Sequence, residues 1–590
     1  MPSSPAIIAL NERQRPLAQR LADALNAQLV LEDQPVAAIA RLFQAGRALI
    51  IIASVGIVVR SIADHLAGKA VDPPVVAVSE DGQFAIPVIG GHHGANRLAE
   101  TVAAAISSTP VISTASDRAF GIALDEPPAG YRLAAHVDHH NVATALLNSA
   151  TLKANTELPE FLAESDLVFS ETGTIELAVS DQRRSEPLTY HPQTLTLGIG
   201  CERGVDAADL IAFVRSEMAR QPWAIEAIAA VCSLDLKEDE PAIQALAADL
   251  GVPARFFSAA ELDAYRAELT TPSKQVFRDV GVYGVSEAAA LAGGGSLIVP
   301  KIKGARMTMA LARSAQPVDV GTLGRPRGEL IVLGLGPGDQ HWRTHGVDRA
   351  LQEFDLAVGY GLYLDIAGIA ANDPRRRAFP LGQEIDRCRF ALEEAAKGQR
   401  VRLICSGDPG IYAMAALVLE LLEQEPAFQR IAWRIEPGIS ALQLLSARAG
   451  AMIGHDFCAI SLSDLLTPSE VIDARVRAAA EGDFVIAFYN PVSKTRTQAF
   501  ARAKAILLAH RPADCPVFLG RNLGRPDEHV RLLTLADVQV SDIDMLTTVM
   551  VGSSQSRTFT NKNGQGFGFT PRGYAKKAAF SPATTQPVDA

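Results

Sequence analysis

A series of short polar motifs in the second half of the chain has the residue types of ligand-binding loops, and each motif comes at the end of an apolar run. The motifs are GLGPGD at 334–339, CSGDPGIY at 405–412, EPGISA at 436–441, SLSD at 461–464 and AFYNP at 487–491. Glycine lets a backbone approach a ligand closely, and open α/β sheets bind ligands at the carboxyl ends of their strands. The series therefore predicts a polar site at such an edge.

Two of these motifs also have simpler interpretations. The 334–339 motif is similar to a dinucleotide-binding loop, but Asp339 stands where a third glycine is needed, and Asp355 precedes the next predicted strand instead of ending it. Asp408 followed by Pro409 is a favourable N-cap and first-turn pair for a helix. A nicotinamide oxidoreductase is therefore the least favoured class, while a tight turn and a capped helix stay open.

Composition limits the class of protein. A chain of 590 residues exceeds what one hydrophobic core supports, so several domains are expected. The net charge of −11 argues against nonspecific binding to nucleic acid or acidic membranes. The six cysteines lie far apart without zinc-site spacing, which favours free thiols in a reducing compartment. No signal peptide or membrane-spanning run is indicated, so we predict a cytoplasmic protein with no membrane partner.

Short β-branched runs alternate with helical patterns, which predicts a multidomain α/β architecture with largely parallel sheets. A polar, less patterned section at 125–193 separates two α/β units in the first half, and a Pro- and Gly-rich stretch at 314–328 predicts a linker. Strands are predicted at 6–9, 48–54, 75–79, 84–88, 110–113, 227–234, 296–300, 329–336 and 356–360, a helix at 15–27, and a hairpin turn at 80–83.

Residues 329–574 resemble the precorrin methyltransferase superfamily and, within it, the precorrin-3B C(17)-methyltransferase branch. Beyond the motifs above, the resemblance is carried by VGYGLYLD (358–365), GHDFCAISLSDLLTP (454–468), FYNPVSKTR (488–496) and TPRGY (570–574). It implies a two-lobed α/β fold that binds S-adenosylmethionine in the cleft between its lobes. It also implies a homodimer formed through this half.

The resemblance assigns roles to individual residues. Positioning the methyl donor against an electron-rich carbon supplies most of the rate. In this branch, methylation is coupled to contraction of the macrocycle, which needs a general acid or base, and His455, Asp456 and Asp464 are the candidates. His455-Asp456 could equally cap a helix. The residues that would line the cofactor are Gly336, Pro337, Gly338, Ser406, Gly407, Asp408, Pro409, Ile411, Tyr412, Ser440, Ala441, Leu462, Tyr489, Asn490, Pro491, Thr547 and Thr548.

The tetrapyrrole substrate of this branch, a precorrin or cobalt-precorrin, carries many carboxylates. An acidic protein must bind such a substrate with local cations, for which arginine offers bidentate pairing. An arginine run is more often a solvated surface, so both interpretations stay open. The candidate cations are Arg375, Arg376, Arg377, Lys494, Arg496, Arg521 and Arg525.

The first half contains GGHHGANRLAE (90–100), GIGCERG (198–204), VYGVSEAAAL (282–291) and LIVPKIKGARMTMA (297–310). Through these motifs it resembles the cobalt-precorrin-5A hydrolase family, at 45–117 for its N-terminal domain and at 194–313 for its C-terminal domain. The family opens a lactone fused to the macrocycle and releases acetaldehyde. Lactone opening needs an activated water and an oxyanion site, so His92 and His93, beside Gly90-Gly91, are the catalytic candidates. A capped loop is the structural alternative. Further candidates are Arg60, Lys69, Asp72, Asn96, Glu287, Lys301 and Lys303.

The sequence thus predicts a fusion of two enzymes of corrin-ring synthesis that uses S-adenosylmethionine and no metal. Two alternatives stay open. The first half could be a noncatalytic corrinoid-binding module, and the methyltransferase could act on another ring carbon or on uroporphyrinogen. The predicted limits are 1–125, 126–193 and 194–313 for the hydrolase-like half, 314–328 for the linker, 329–574 for the methyltransferase with lobes at about 329–440 and 441–560, and 575–590 for a disordered tail.

Overall fold

A computed structural model describes most of the chain, which divides into a first unit, Met1–Arg327, and a second unit, Gly328–Ala590. The predicted tail at 575–590, the histidine pair His92-His93 and Lys69 lie outside the described residues. Among the helices that are described, none combines the length and apolarity needed to cross a membrane. The described residues are 5–25, 27–30, 34–68, 71–91, 94–112, 119–338, 340–492 and 498–574.

The first unit begins with a six-stranded sheet in the order β2-β1-β3-β4-β5-β6, parallel except for the β4–β5 hairpin. Its central strands are buried on both faces, which explains their uninterrupted apolar runs. Its elements are β1 (Ala6–Ala9), α1 (Arg15–Leu25), β2 (Gln28–Val30), α2 (Pro35–Gln44), β3 (Leu49–Ile52), α3 (Val55–Ile62), β4 (Val75–Val78), β5 (Phe84–Ile89), α4 (Ala95–Ile106) and β6 (Thr109–Pro110).

Most predictions for this sheet are confirmed, including the hairpin turn, where Gly82 has a φ of +71°. The strand predicted at 110–113 is wrong at Val111 and Ile112, because β6 ends at Pro110, and Ser113 lies outside the described residues. This strand lies at the edge of the sheet, and Val111 is 41% exposed, so apolar residue types there do not mark a buried strand.

The section at 125–193 that lacks a clear pattern folds into a four-stranded sheet in the order β7-β10-β9-β8. Its strands have three to five residues each, too few for a hydrophobic period to stand out. A separate core surrounds the fully buried Tyr190. The elements are β7 (Tyr131–Leu133), α5 (His139–Leu147), β8 (Leu152–Ala154), α6 (Glu160–Ala163), β9 (Ile175–Val179) and β10 (Leu188–Pro192).

The third sheet of the first unit has the order β13-β12-β11-β15-β14. Helix α11 lies directly on β11, because a Cβ at Gly198 would stand 1.9 Å from the carbonyl oxygen of Ser286. The elements are β11 (Leu195–Cys201), α7 (Ala207–Arg220), β12 (Ile228–Leu234), α8 (Pro241–Leu250), β13 (Ala254–Phe257), α9 (Ala259–Asp263), α10 (Lys274–Val280), α11 (Val285–Ala292), β14 (Ser296–Lys303) and β15 (Met307–Arg313).

The second unit starts with a five-stranded, fully parallel sheet in the order β18-β17-β19-β16-β20. All its carboxyl ends therefore lie at one edge. We call this sheet and its helices lobe 1. Its elements are β16 (Glu329–Gly334), α12 (His345–Ala350), β17 (Leu356–Tyr360), α13 (Gly361–Ile366), β18 (Arg376–Phe379), α14 (Glu384–Ala396), β19 (Arg400–Cys405), α15 (Met414–Gln424) and β20 (Ala432–Glu436).

The remainder, lobe 2, is built on a mixed sheet in the order β22-β23-β26-β24-β25, with a small sheet β21-β28-β27 beside it. Only β22 and β23 pair in parallel within the larger sheet as described. The elements are α16 (Ala441–Ala449), β21 (Gly450–Ala451), β22 (Phe457–Ser461), α17 (Ser469–Glu481), β23 (Val485–Tyr489), α18 (Gln498–Leu508), β24 (Pro516–Arg521), β25 (His529–Thr534), β26 (Thr547–Val551), β27 (Arg557–Thr560) and β28 (Gly566–Phe569). The α/β fold class is thus confirmed.

Candidate functional site

Three loops of lobe 1 meet where β16, β19 and β20 end, and their contact requires glycine. A Cβ at Gly438 would lie 2.1 Å from the carbonyl oxygen of Gly407, and a Cβ at Gly334 would lie 2.6 Å from the same atom. Gly336 and Gly407 exchange two backbone hydrogen bonds, of 3.2 and 2.8 Å. The loops are therefore held backbone against backbone, with no room for side chains between them.

The carboxylate of Asp408 ties two of these loops together. It accepts the N–H of Gly410 at 2.8 Å and the N–H of Gly438 at 3.2 Å. Helix α15 starts only at Met414, with Ala413 as its N-cap, so Asp408 does not cap it. The capped-helix interpretation of Asp408-Pro409 is therefore wrong, since this carboxylate organises the loops instead.

Tyrosine side chains join lobe 1 to lobe 2 at this edge. The Tyr489 hydroxyl, at the end of β23, lies 2.5 Å from Oγ of Ser440 and accepts the N–H of Leu442 at 3.1 Å. Burial raises the pKa of Tyr489, so its hydroxyl stays protonated. The Tyr412 hydroxyl donates to the carbonyl of Ala459 at 2.8 Å, and the two tyrosine rings are 5.5 Å apart.

A second contact between the lobes was missed from the sequence. A Cβ at Gly338 would stand 1.6 Å from the carbonyl oxygen of Gly524, and Trp342 packs against the same loop. Both Asn522 and Gly524 have positive φ, at +49° and +73°. The Asn-Leu-Gly-Arg-Pro sequence at 522–526 carries this turn signal, but a turn alone does not reveal its partner.

The other predicted cofactor residues take several positions. Leu462 is buried, and its N–H donates to the carbonyl of Tyr489 at 2.9 Å, while the amide of Asn490 donates to Oγ of Ser461 at 3.2 Å. Thr547 is also buried, and its hydroxyl donates to Asp544 at 2.6 Å. Pro337, Ser406, Pro409 and Ile411 lie in the loops of lobe 1, Ala441 begins α16, Pro491 follows β23, and Thr548 lies in β26.

The composition of the edge suits a positively charged ligand. The segments 334–338, 405–412, 436–441, 461–464 and 487–491 contain three carboxylates and no lysine or arginine. Tyr412 is 53% exposed, so part of its ring is open to a ligand, and aromatic rings attract cations. A sulfonium donor such as S-adenosylmethionine therefore fits the residues that are present.

Residues 329–539 match the family model described as Tetrapyrrole (Corrin/Porphyrin) Methylases. Over 249 residues, the chain is 41% identical to a precorrin-3B C(17)-methyltransferase from a Sinorhizobium species, a match that covers 42% of the chain and 98% of that relative. The chain belongs to the tetrapyrrole methylase family. It is accordingly a methyltransferase, and the edge described above lies in its methylase unit.

Other similar proteins belong to the same group of methylases. The chain is 42% identical over 245 residues to a probable cobalt-factor III C(17)-methyltransferase of Salmonella typhimurium LT2, covering 42% of the chain and 99% of the relative. A crystal structure of the methyltransferase CobJ is 39% identical and has a TM-score of 0.39, with 41% of this chain and all of that chain covered. Some curated relatives are longer, and the chain spans 48% of their length.

The first unit matches two further family models, both of cobalamin synthesis G. Residues 37–117 match its N-terminal model, and residues 195–312 match its C-terminus model. The predicted fusion of a methylase with these domains is thereby confirmed. The segment between the two matches contains the sheet β7-β10-β9-β8.

The candidate acids and bases of the methylase unit lie at opposite ends of β22. His455 and Asp456 precede this strand and are exposed, with Nδ1 of His455 accepting the N–H of Asp456 at 2.8 Å. Asp464 follows the strand, on the side of Leu462 and Tyr489. Asp456 and Leu462 are roughly 20 Å apart along the chain, since each residue of a strand advances about 3.3 Å.

Among the candidate cations, most are paired within the protein. Arg375 pairs with Asp373 at 2.8 Å, Arg376 with Asp365 at 2.6 Å and Arg521 with Asp544 at 2.6 Å, while Arg377 donates to backbone carbonyls. Arg525 differs, because its buried Nε atom has no hydrogen-bond partner among the described residues. Lys494 and Arg496 lie outside the described residues.

In the first unit, two candidate carboxylates accept hydrogen bonds from neighbouring parts of the fold. Asp72 is buried and accepts the N–H groups of Ala67 and Gly68. Glu287 is buried and accepts backbone N–H groups and hydroxyls of Thr270 and Thr271, together with the N–H of Lys301. Asn96 lies in the first turn of α4, Arg60 in α3 and Lys303 at the end of β14.

The contact between lobes yields a prediction for matched tyrosine variants. In Tyr489→Phe, the half-buried N–H of Leu442 loses its acceptor, which costs about 1 to 2 kcal/mol of local stability. In Tyr412→Phe, the carbonyl of Ala459 loses a donor that water can replace, so the cost is below about 0.5 kcal/mol. Hydrogen exchange of residues 440–449, followed by mass spectrometry, measures both. Equal effects of the two variants would contradict this account of the contact.

Proposed function

We propose that the methylase unit transfers a methyl group from S-adenosylmethionine to C17 of precorrin-3B or of its cobalt-containing counterpart, with contraction of the ring. This proposal rests on the contact between the loops around Gly336, Gly407 and Gly438 at the carboxyl edge of lobe 1. Tyr412 and Tyr489 lie beside this contact. The similarity over nearly the whole length of C(17)-methyltransferases supports the choice of substrate.

In this proposal, the residues of the edge bind and orient the donor. The sulfonium methyl group is itself the electrophile, so no protein nucleophile is needed. The loops around Gly336, Gly407 and Gly438 offer backbone groups at fixed positions, because their mutual contacts leave them little freedom to move. The partly exposed ring of Tyr412 offers a face that stabilises the positive charge, while the Tyr489 hydroxyl fixes Ser440 and Leu442 after the third loop.

The macrocycle would lie against the donor at the same edge, with proton transfer during ring contraction assigned to a nearby acid or base. Asp464 is the favoured candidate, because it follows β22 on the side of the cofactor loops. The roles predicted for His455 and Asp456 stay predictions, and their position before β22 suits contact with a distant part of a large substrate. The homodimer and the cytoplasmic location stay predictions as well.

For the first unit, we propose opening of the ring-fused lactone of a cobalt-precorrin-5A substrate with release of acetaldehyde. The matches to both cobalamin synthesis G models support this proposal. The alternative is a noncatalytic corrinoid-binding module. Release of acetaldehyde from the lactone substrate by the full chain distinguishes the two, because a binding module takes up the substrate without releasing the aldehyde.

The methyl-transfer proposal is tested by incubating the full chain with isotopically labelled S-adenosylmethionine and either precorrin-3B or cobalt-factor III. We expect one of the two to gain a single labelled methyl group, which NMR places at C17. Gly438→Ala should abolish the reaction, because its Cβ overlaps the carbonyl of Gly407. Gly56→Ala, in α3 of the first unit, should keep it, because only its chain neighbours and its own helix lie within 4 Å of the new Cβ. A methyl group at another carbon would favour the alternative in which the methyltransferase acts on another ring carbon.

Arg525 gives a second prediction, about substrate binding. In Arg525→Gln, the KM for the macrocycle should rise about tenfold, since a hydrogen bond to a charged group contributes about 1.5 to 3 kcal/mol. The affinity for S-adenosylmethionine should not change. Steady-state kinetics with varied macrocycle measures the effect, and Arg475→Gln, an exposed arginine on α17, is the control. An unchanged KM would show that Arg525 does not bind the macrocycle.

A further inference from the structure

A cavity of about 380 Å³ lies in the first unit where the sheet β7-β10-β9-β8 meets helix α7 and the segment after it. Its wall includes Arg183, Arg184 and His191 from one side and Arg215, Trp223 and Glu226 from the other. The volume is within the range of pockets for small organic ligands. The first three residues belong to the segment that separates the two cobalamin synthesis G matches, so those matches assign it no role.

The charge of the wall favours an anion. The lining residues include three arginines and one carboxylate, Glu226. Arg215 pairs with Asp249 at 2.9 Å, and Arg183 donates to the backbone carbonyl of Gln221 at 2.6 Å, so both are held in place. Arg184 is exposed, and no described residue pairs with its guanidinium group. An arginine that lines a cavity and has no partner among the described residues is available to pair with a ligand carboxylate.

His191 adds a polar group of fixed orientation. It is 2% exposed, and its Nδ1 lies 2.5 Å from the carbonyl oxygen of Ser180, to which it donates. Its Nε2 is thereby left as an acceptor, and burial lowers the pKa of His191, which favours this neutral form. No described residue donates to Nε2, so a hydroxyl or N–H group of a ligand can do so.

Hydrogen bonds join the two walls of the cavity on the side of Trp223. The N–H of Arg183 donates to the carbonyl of Pro222 at 2.8 Å, and the N–H of Ala224 donates to the backbone carbonyl of Asp181 at 2.9 Å. The buried carboxylate of Asp181 in turn accepts the hydroxyl of Thr194 at 3.0 Å. These bonds fasten the two walls to each other, and a preorganised pocket loses little entropy when a ligand binds.

We propose that this cavity binds an organic polycarboxylate that also carries a hydroxyl or N–H group. The carboxylates pair with Arg184 and its neighbouring arginines, the hydroxyl or N–H donates to Nε2 of His191, and the apolar part of the ligand packs on Trp223. Such a ligand is either a small free polycarboxylate or the carboxylate-bearing rim of a macrocycle. The inference does not depend on the methyl-transfer proposal.

The test uses the full chain labelled with 5-fluorotryptophan. The chain has three tryptophans, Trp223, Trp342 and Trp433, so fluorine NMR gives three resonances, and loss of one in Trp223→Phe assigns the cavity. Citrate is titrated as a free hydroxy-polycarboxylate, and uroporphyrin as a macrocycle with carboxylates around its rim. Ionic strength is matched with sodium chloride throughout.

We expect a saturable shift of the Trp223 resonance. Citrate should cause it if the ligand is a small free polycarboxylate, and uroporphyrin alone should cause it if the ligand is the rim of a macrocycle. Arg184→Gln should weaken binding about tenfold, whereas Arg278→Gln, an exposed arginine on α10, should not. A single sharp, dispersed Trp223 resonance in each unliganded variant shows that the first unit folds, because Trp342 and Trp433 lie in the second unit. The proposal is overturned if neither probe shifts the Trp223 resonance, or if both arginine variants bind alike.

Discussion

The close approach of three backbone segments at the carboxyl edge of lobe 1 is the constraint on which the methylase unit depends. Gly334, Gly407 and Gly438 touch through their main chains, where a Cβ on Gly334 or on Gly438 would overlap the carbonyl of Gly407. Asp408 then fastens the second loop to the third. Because the loops are packed without side chains between them, their polar backbone groups are held at fixed positions around a ligand.

The same constraint explains how the two lobes form one site. The third loop runs directly into Ser440, which is the N-cap residue of α16 in lobe 2 and contacts the Tyr489 hydroxyl. Gly338 and Gly524 form a second main-chain contact between the lobes. A methyl donor bound by the loops of lobe 1 would thus lie against a substrate bound beside lobe 2. Positioning of this kind is the main requirement for a methyl transfer.

The positions of the loops could be predicted from the sequence, because glycine, proline and asparagine after an apolar strand favour a turn through their own backbone preferences. Long-range contacts were harder to predict. Nothing near Gly524 indicates that Gly338 lies against it, and the Asp408-Pro409 pair suggested a helix cap because its carboxylate partner, Gly438, is 30 residues away. The short strands of the sheet around Tyr190 show no hydrophobic period, and the cavity beside them combines residues of that part of the chain with residues of helix α7 and the segment after it.

Hydrogen exchange of the full chain with and without S-adenosylhomocysteine, the demethylated product of the donor, tests the central claim most directly. The account predicts slower exchange in the loops at 334–338, 405–412 and 436–441 and at 487–491, with no change in the first unit, because the ligand stabilises the loops that it contacts. Binding that leaves these four segments unchanged and protects another part of the chain would contradict the account.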